Sequence, residues 1–531
     1  MKITLKKILI FILILSIIFG VFFRFYNLNY PFFCEDDAIF AVSSLKIHHQ
    51  GFKDGVQYVW NHPPLGKYLA GILTKGQYDE SFKILSIIPP QMFGWAHLAF
   101  KPLQKTILNI RLSYFFFGIL ILLFVFLLTN KIYSTETALW ATVLTSLSLD
   151  FISFSRNLYP EQFMIFFTLA CSYFYINYLY KNKNKVINLI LFAISLLFLL
   201  GSRQFQPVMI AFFFLFHYIG YVFFKALKNK VKFSKFFYFD IIFIYIVVII
   251  ITFILYNPLP PSQFTHSGII KFGFQFHKLI GVMIFRNSYL SLIGLILTTL
   301  ILFQKRGNVI TFIKNPNKWF KKDNFIIYMF TASFLSMLFF NFPFVSISRY
   351  SCFILIFLII IEANTINKLL KSKRKMIIYI IVLIGLLLTF NQLYETSRDH
   401  PPFILNSNFN IDNFALMPDA EGVYNHSIYE ELNNMGSPSI ITNIPWLATY
   451  YTGETFIPPL PNSGLCSKEY FELLKKNNAS LVIYDPIFFT EQNWASCESF
   501  RQLNFQKTKT FKLNNFKTSI REYNISIYKL L

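Results

Sequence analysis

The chain has 531 residues, of which 55% are hydrophobic and 14% charged, and its formal net charge is +23 at pH 7. Soluble globular proteins carry about 25% charged residues, so this composition excludes a soluble protein. It indicates an α-helical polytopic membrane protein.

The first apolar run covers residues 8–23 and follows Lys2, Lys6 and Lys7. No small-residue cleavage site comes after it, so we interpret the run as a retained helix and not as a signal peptide. The three lysines predict that the N-terminus is cytoplasmic.

Ten more apolar runs follow, and each is near the length that crosses a hydrocarbon core of about 30 Å. Together with the first they predict about eleven transmembrane helices, at 8–23, 112–129, 137–155, 162–180, 186–201, 206–224, 236–256, 288–303, 325–341, 350–367 and 376–390.

The connecting loops alternate in charge. The loops on the same side of the membrane as the N-terminus are basic, at 181–185, 225–235, 304–324 and 371–375. This alternation predicts an integral plasma-membrane protein whose basic loops are cytoplasmic. It also explains the net positive charge, so we expect no nucleic-acid partner. The first external loop is then 24–111, and residues 156–161, 257–287 and everything after 390 are external as well.

The last part of the chain, 391–531, has a different composition from the membrane part, 1–390. "PSIITNIP", "ASLVIYDP" and "NISIYKL" predict short strands, and "SIYEELNNMG" and "SKEYFELLKKNN" predict short helices. We therefore expect a small extracytoplasmic α/β domain at the C-terminus. Its Cys466 and Cys497 could form a disulfide if the compartment is oxidising.

The first external loop opens with "FCEDDAIFAVSSLKIHHQG", residues 33–51, in a chain with 26 acidic residues in all. Asp36 and Asp37 precede an amphipathic stretch, so they would lie at the N-terminus of a surface helix. A fixed carboxylate close to the bilayer suits a general base acting on a lipid-linked substrate. The alternative is that the acids are merely solvated at the membrane boundary.

"NHPPLGKYLAG", residues 61–71, follows in the same loop. Its prolines fix an extended segment before the chain enters another apolar stretch. His62 and Lys67 could present a hydrogen-bond donor and a point charge to a phosphate group.

Three later segments add charged residues on the same predicted side. "SRNLYPEQ" contains Arg156 and Glu161, "LGSRQFQP" contains Arg203, and "SISRYSCF" contains Arg349 and Tyr350. An acid after a proline suits the first turn of a helix, and an arginine at a helix end can simply reach the lipid headgroups. For each of these residues, such a structural role is the alternative to a role in substrate binding or catalysis.

The acids followed by HPPLGK resemble the protein O-mannosyltransferases and their relatives in glycosyltransferase family 39. More distantly they resemble the aminoarabinose transferases. All belong to the GT-C class of integral-membrane glycosyltransferases. The resemblance implies that Asp36 is the catalytic aspartate, with Asp37 at the family's glutamate position; a slip of one residue would move the role to Glu35 or Asp37. The paired Arg156 and Glu161 keep the family's spacing.

This resemblance implies an inverting hexosyl- or pentosyltransferase whose donor is a polyprenyl-phosphate sugar. The acceptor hydroxyl would belong to a protein, a glycolipid or a cell-wall polymer. His62, Lys67, Arg203 and Arg349 would bind the donor phosphate. Arg156 and Tyr350 would position substrate.

Glu161 would act with the catalytic acids by orienting the acceptor, or would hold a divalent cation together with Asp36. Mg²⁺ and Mn²⁺ prefer such oxygen ligands, although the sequence requires no metal.

The alternatives to a transferase are a transporter and a scaffold. A transporter or flippase of lipid-linked sugars would show ionisable residues at the bilayer midplane and repeated halves. The sequence shows neither. A non-catalytic membrane scaffold would leave the acids and HPPLGK without a reason.

Overall fold

The computed structural model describes part of the chain. In the membrane part it describes residues 2–26, 28, 40, 44, 47–48, 64–74, 104–156, 158–180, 184–202, 206–230, 239–255, 271–272, 288–304, 315–341, 348–372 and 375–399. In the C-terminal part it describes residues 439–442, 455–457, 480–484, 505–513 and 523–530.

The membrane part is built of helices. They are α1 (Lys2–Phe25), α2 (Pro64–Ala70), α3 (Gln104–Ile132), α4 (Thr135–Ser146), α5 (Leu149–Phe154), α6 (Glu161–Tyr180), α7 (Lys185–Leu200), α8 (Gln206–Lys228), α9 (Phe239–Leu255), α10 (Tyr289–Gln304), α11 (Phe325–Phe339), α12 (Ser348–Leu370) and α13 (Lys375–Asp399). Short 3₁₀ turns occupy Ile72–Thr74, Pro316–Lys318 and Lys322–Asn324. Helix is therefore present in every one of the predicted apolar runs.

Six helices in the described residues are long and apolar enough to cross a bilayer: α1, α3, α6, α8, α12 and α13. Helices α7, α9 and α10 are apolar but shorter. The predicted third span, 137–155, is divided into α4 and α5, with Ser148 in an extended conformation between them. The hydroxyls of Thr145 and Ser146 bond back to their own helix, at Ala141 O and Val143 O.

Arg24 of α1 binds the backbone carbonyls at the end of α4. Its guanidinium donates to the carbonyls of Ser146 at 2.6 Å and Thr145 at 2.9 Å, and to Gly20 O in its own helix at 2.7 Å. The last carbonyls of a helix have no partner within that helix, so Arg24 supplies the donors that α4 lacks at its end. Gly20 permits the contact, because a Cβ there would lie 2.4 Å from Ser146 O.

Helices α6 and α12 form the centre of the bundle, with 78% and 72% of their spanning residues buried. At the far end of α12, Asn367 Nδ2 donates to Thr137 Oγ1 at 2.8 Å. Lys371 pairs there with Glu136 at 2.6 Å. These contacts join the end of α12 to the start of α4, so the two helices are antiparallel. The start of α12 therefore points to the end of the bundle where Arg24 lies.

A buried hydrogen bond joins α10 to α12. Ser291 Oγ donates to Glu362 Oε2 at 2.6 Å, and Gly294 leaves room, since a Cβ there would lie 3.0 Å from Glu362 Cβ. We expect Ser291→Ala to lower stability by about 1 kcal/mol, as for other hydrogen bonds between membrane helices. Glu362→Gln keeps the shape and an acceptor, so it should cost less than Glu362→Ala. Thermal unfolding of the purified variants checks this order; equal costs for the two would contradict it.

The C-terminal part contains the strands β3 (Ser439–Thr442), β4 (Thr455–Ile457), β5 (Ser480–Tyr484), β6 (Phe505–Leu513) and β7 (Tyr523–Leu530). They form a five-stranded sheet in the order β4-β3-β5-β7-β6. β3 pairs in parallel with β4 and β5, whereas β7 pairs antiparallel with β5 and β6. A further two-residue pair, β1 (Lys271–Phe272) and β2 (Phe340–Asn341), lies in the membrane part.

The sheet confirms the three predicted strands and adds β4 and β6. The two predicted helices of the tail, and Cys466 and Cys497, lie outside the described residues. Helix α13 continues to Asp399, so the predicted boundary after residue 390 falls within a helix. The division into two domains stays a prediction.

Candidate functional site

The structure describes the side chains of three predicted site residues, Lys67, Arg156 and Glu161. For Arg349 and Tyr350 it describes only the backbone, which lies in the first turn of α12. Four further predicted residues, and the alternative Glu35, lie outside the described residues: Asp36, Asp37, His62 and Arg203.

Helix α2, which contains most of HPPLGK, packs on the end of α7. The backbone amide of Gly66 donates to Gly201 O at 3.3 Å. A Cβ on Gly66 would lie 3.4 Å from both Ser202 O and the ring of Phe163, and a Cβ on Gly201 would overlap Leu65. The helix is thus fixed against the residue that precedes Arg203 in sequence and against a residue near Glu161 in α6.

Lys67 is 2% exposed in this packing. Burial lowers the pKa of its ammonium to about 7, from a usual value of 10.5. Near neutral pH a substantial fraction of Lys67 is therefore uncharged, unlike a lysine on the surface. A phosphate bound beside it would favour the charged form.

The segment that follows the acids packs along α2. The described residues Phe40, Ser44, Ile47 and His48 are helical, and the first three are buried. His48 Nε2 donates to the carbonyl of Tyr68 at 2.7 Å, and the two rings stack at 4.6 Å. The Phe40 ring meets Tyr114 of α3. The predicted helix therefore buries one face against protein.

Arg156 and Glu161 flank the turn between α5 and α6, and both are buried. Arg156 Nη1 donates to Phe23 O near the end of α1, at 2.5 Å. Glu161 is the first residue of α6 and follows Pro160, as predicted. The Arg156 contact therefore lies at the end of α1, where the loop that contains the acids begins. A direct contact of Arg156 with substrate stays a prediction.

Two further arginines at this end were not singled out as site residues from the sequence. Arg111 of α3 is fully buried and donates to Leu28 O at 3.0 Å. Arg24 of α1 donates to the carbonyls of Thr145 and Ser146 at the end of α4. The sequence signal was weak, because Arg24 and Arg111 each lie next to a predicted apolar run, 8–23 or 112–129, and an arginine at a helix end can simply reach the lipid headgroups. Arg111 and Arg156 donate to the carbonyls of Leu28 and Phe23, where the loop that contains the acids begins. Arg24 lies between Phe23 and Leu28 in sequence.

Glu161 is the one predicted metal ligand among the described residues. No cluster of three or more histidine, cysteine, aspartate or glutamate side chains occurs in the part of the chain that the structure describes. A cation held by Asp36 and Glu161 stays a prediction.

The family described as dolichyl-phosphate-mannose-protein mannosyltransferase matches residues 14–260, a little under half of the chain. The predicted resemblance to this family is confirmed. The matched range includes Asp36, Lys67, Arg156, Glu161 and Arg203. No curated protein matches the sequence.

Among solved structures, ArnT from Cupriavidus metallidurans bound to undecaprenyl phosphate has a TM-score of 0.50 at 10% identity, with 97% of each chain covered. The same protein in the apo state also has a TM-score of 0.50, at 9% identity, over 100% of this chain and 98% of that one. The oligosaccharyltransferase of Archaeoglobus fulgidus has a TM-score of 0.45 at 12% identity, over 89% and 69%. The likeness to ArnT shows a shared fold, the GT-C fold that the sequence predicts.

Proposed function

We propose that this protein is an inverting glycosyltransferase that moves a sugar from a polyprenyl-phosphate donor to an acceptor hydroxyl. The observation that carries the proposal is the packing of α2 with its buried Lys67. Gly66, which precedes Lys67 in α2, lies against Phe163, two residues after Glu161, and against Ser202, one residue before Arg203. The family match supports the reaction class. ArnT, which shares the fold, has been crystallised with undecaprenyl phosphate.

In the proposed reaction Asp36 accepts the proton of the acceptor hydroxyl. The acceptor oxygen attacks the anomeric carbon, and the bond from that carbon to the phosphate oxygen breaks. Polyprenyl phosphate leaves with the electron pair. The new glycosidic bond forms on the opposite face of the sugar, so the configuration inverts.

The cationic residues stabilise charge on the departing phosphate. We assign this role to Lys67, Arg203 and Arg349, with His62 as a hydrogen-bond donor. Glu161 orients the acceptor. Arg156 holds the end of α1, from which the loop with Asp36 departs, and Tyr350 positions the substrate from α12.

The first test is transfer of label from radiolabelled polyprenyl-phosphate sugars to endogenous acceptors, in membranes with and without the protein. We expect protein-dependent label in an acceptor, release of polyprenyl phosphate in equal amount, and a product of inverted configuration. Label that crosses the membrane while staying on the lipid would favour a transporter. A product of retained configuration would contradict the single displacement.

Burial of Lys67 gives the donor interaction a pH dependence. The free ammonium loses its proton as pH rises through about 7, and a bound phosphodiester favours the charged form. We therefore expect the KM for donor to rise by up to tenfold per pH unit above about 7. Lys67→Met should bind donor weakly at every pH and show no such slope. A slope that persists in Lys67→Met would assign the titration to another group.

Folding stability should respond in the same range of pH. The folded-state pKa of Lys67, about 7, lies below its unfolded value, so the unfolded chain binds more protons in between. Stability contributed by this residue is complete above its unfolded pKa and is lost as pH falls through about 7.

A further inference from the structure

The opposite end of α8 carries a cluster of lysines on an aromatic base. Helix α8 starts beside the candidate site at Gln206 and ends at Lys228. In the described residues six lysines lie at the end of α8 and in the turn before α11. We call them the lysine cluster: Lys225, Lys228, Lys230, Lys318, Lys321 and Lys322. One acid, Asp323, lies in the same two segments.

Phe320 joins the two segments. Its ring stacks on Phe224 at 5.3 Å and fills the space over Gly220, where a Cβ would lie 2.3 Å from the ring. Its carbonyl accepts from Tyr180 Oη at 2.8 Å. The turn at 318–322 is thus fixed across α8, one helical turn from Lys228. The basic residues of the two segments therefore share one surface.

The same helix presents an apolar stripe outward. Phe212, Phe216, Ile219, Phe223 and Leu227 are all exposed, at the spacing of one helical face. Such a stripe on a spanning helix faces lipid tails, and it ends beside Lys228. Lys321 and Lys228 are exposed, whereas Lys225 lies over the Tyr221 ring at 5.4 Å. Trp319 is half-buried in the turn, as suits a residue at the membrane boundary.

We propose that the lysine cluster binds the headgroups of anionic phospholipids in the leaflet opposite to the candidate site. The apolar stripe places the cluster at headgroup depth, and six positive charges against one negative charge select anionic headgroups. Each lysine near such a surface strengthens binding by about fivefold. The aromatic base holds the turn in place, so binding does not require the segment to order.

The test uses the purified full-length protein in neutral detergent. Its thermal midpoint is measured after addition of phosphatidylglycerol or phosphatidylcholine. We expect phosphatidylglycerol to raise the midpoint by several degrees, and Lys228→Gln/Lys321→Gln to lose more than half of that rise. Lys368→Gln/Lys375→Gln removes two exposed lysines from α12 and α13 and should retain it.

Three outcomes would overturn the proposal. They are an equal rise with phosphatidylcholine, an equal loss in Lys368→Gln/Lys375→Gln, and an equal rise with inorganic phosphate. The first would indicate a general lipid effect. The second would indicate a response to overall charge, and the third would indicate a soluble anion as the ligand. Because the substituted lysines are exposed, both variants are expected to fold.

Discussion

Asp36→Asn is expected to reduce transfer from the donor lipid by about 10³-fold, the range that one general base contributes. Asparagine keeps the shape of the side chain and cannot accept the proton of the acceptor hydroxyl. Donor binding should change little, because the base acts on the acceptor. Initial rates in membranes with matched protein levels measure the effect, and KM for donor is measured alongside.

Asp37→Asn and Glu35→Gln are the matched controls. Each removes one negative charge from the same stretch, and each should cost less than tenfold. A large loss in one of these instead of in Asp36→Asn would move the base to that residue, as a register slip predicts. Equal small losses in all three would contradict the assignment of the base to this stretch.

Arg24→Met is expected to lower the free energy of unfolding by about 3 kcal/mol, because carbonyls at the end of α4 lose buried donors. Methionine fills much of the space and supplies no N–H group. At about 1 °C per kcal/mol for a chain of this length, the thermal midpoint should fall by about 3 °C. Thermal unfolding of the purified protein in detergent measures this.

Arg24→Lys should give an intermediate value, since one ammonium can serve fewer of the three carbonyls. Lys7→Met removes a charge from the exposed start of the same helix and should leave the midpoint unchanged. If Lys7→Met costs as much as Arg24→Met, the charge of α1 would be the cause and not the hydrogen bonds.

The helices were predictable because apolar runs of spanning length have few alternative structures in a bilayer. The break between α4 and α5 was not, because no proline or glycine interrupts the predicted run 137–155. The break becomes intelligible once Arg24 is seen to bind the carbonyls of Thr145 and Ser146. A partner 121 residues away in sequence leaves no local signal.

The sequence predicts which residues form the candidate site, and their roles stay predictions. It did not predict that Lys67 and Arg156 are buried. HPPLGK marked Lys67, and the family resemblance marked Glu161 and Arg156. The sequence suggested lysine and arginine groups open to a phosphate. Lys67 and Arg156 are instead enclosed. Gly66 and Gly201 allow α2, with Lys67, to lie against α7, and Arg156 donates to Phe23 O at the end of α1. Such burial depends on contacts between segments that are distant in sequence, which no local pattern predicts.

Under the proposed function, the enclosure of Lys67 would also make donor binding a proton-consuming event. Near neutral pH part of the protein holds Lys67 as an uncharged amine, and the arriving phosphodiester would draw a proton from the solution to that nitrogen. The heat of binding should then vary with the ionisation enthalpy of the buffer. In a cell, an acidified compartment on this side of the membrane would load the enzyme with donor more fully than a neutral one.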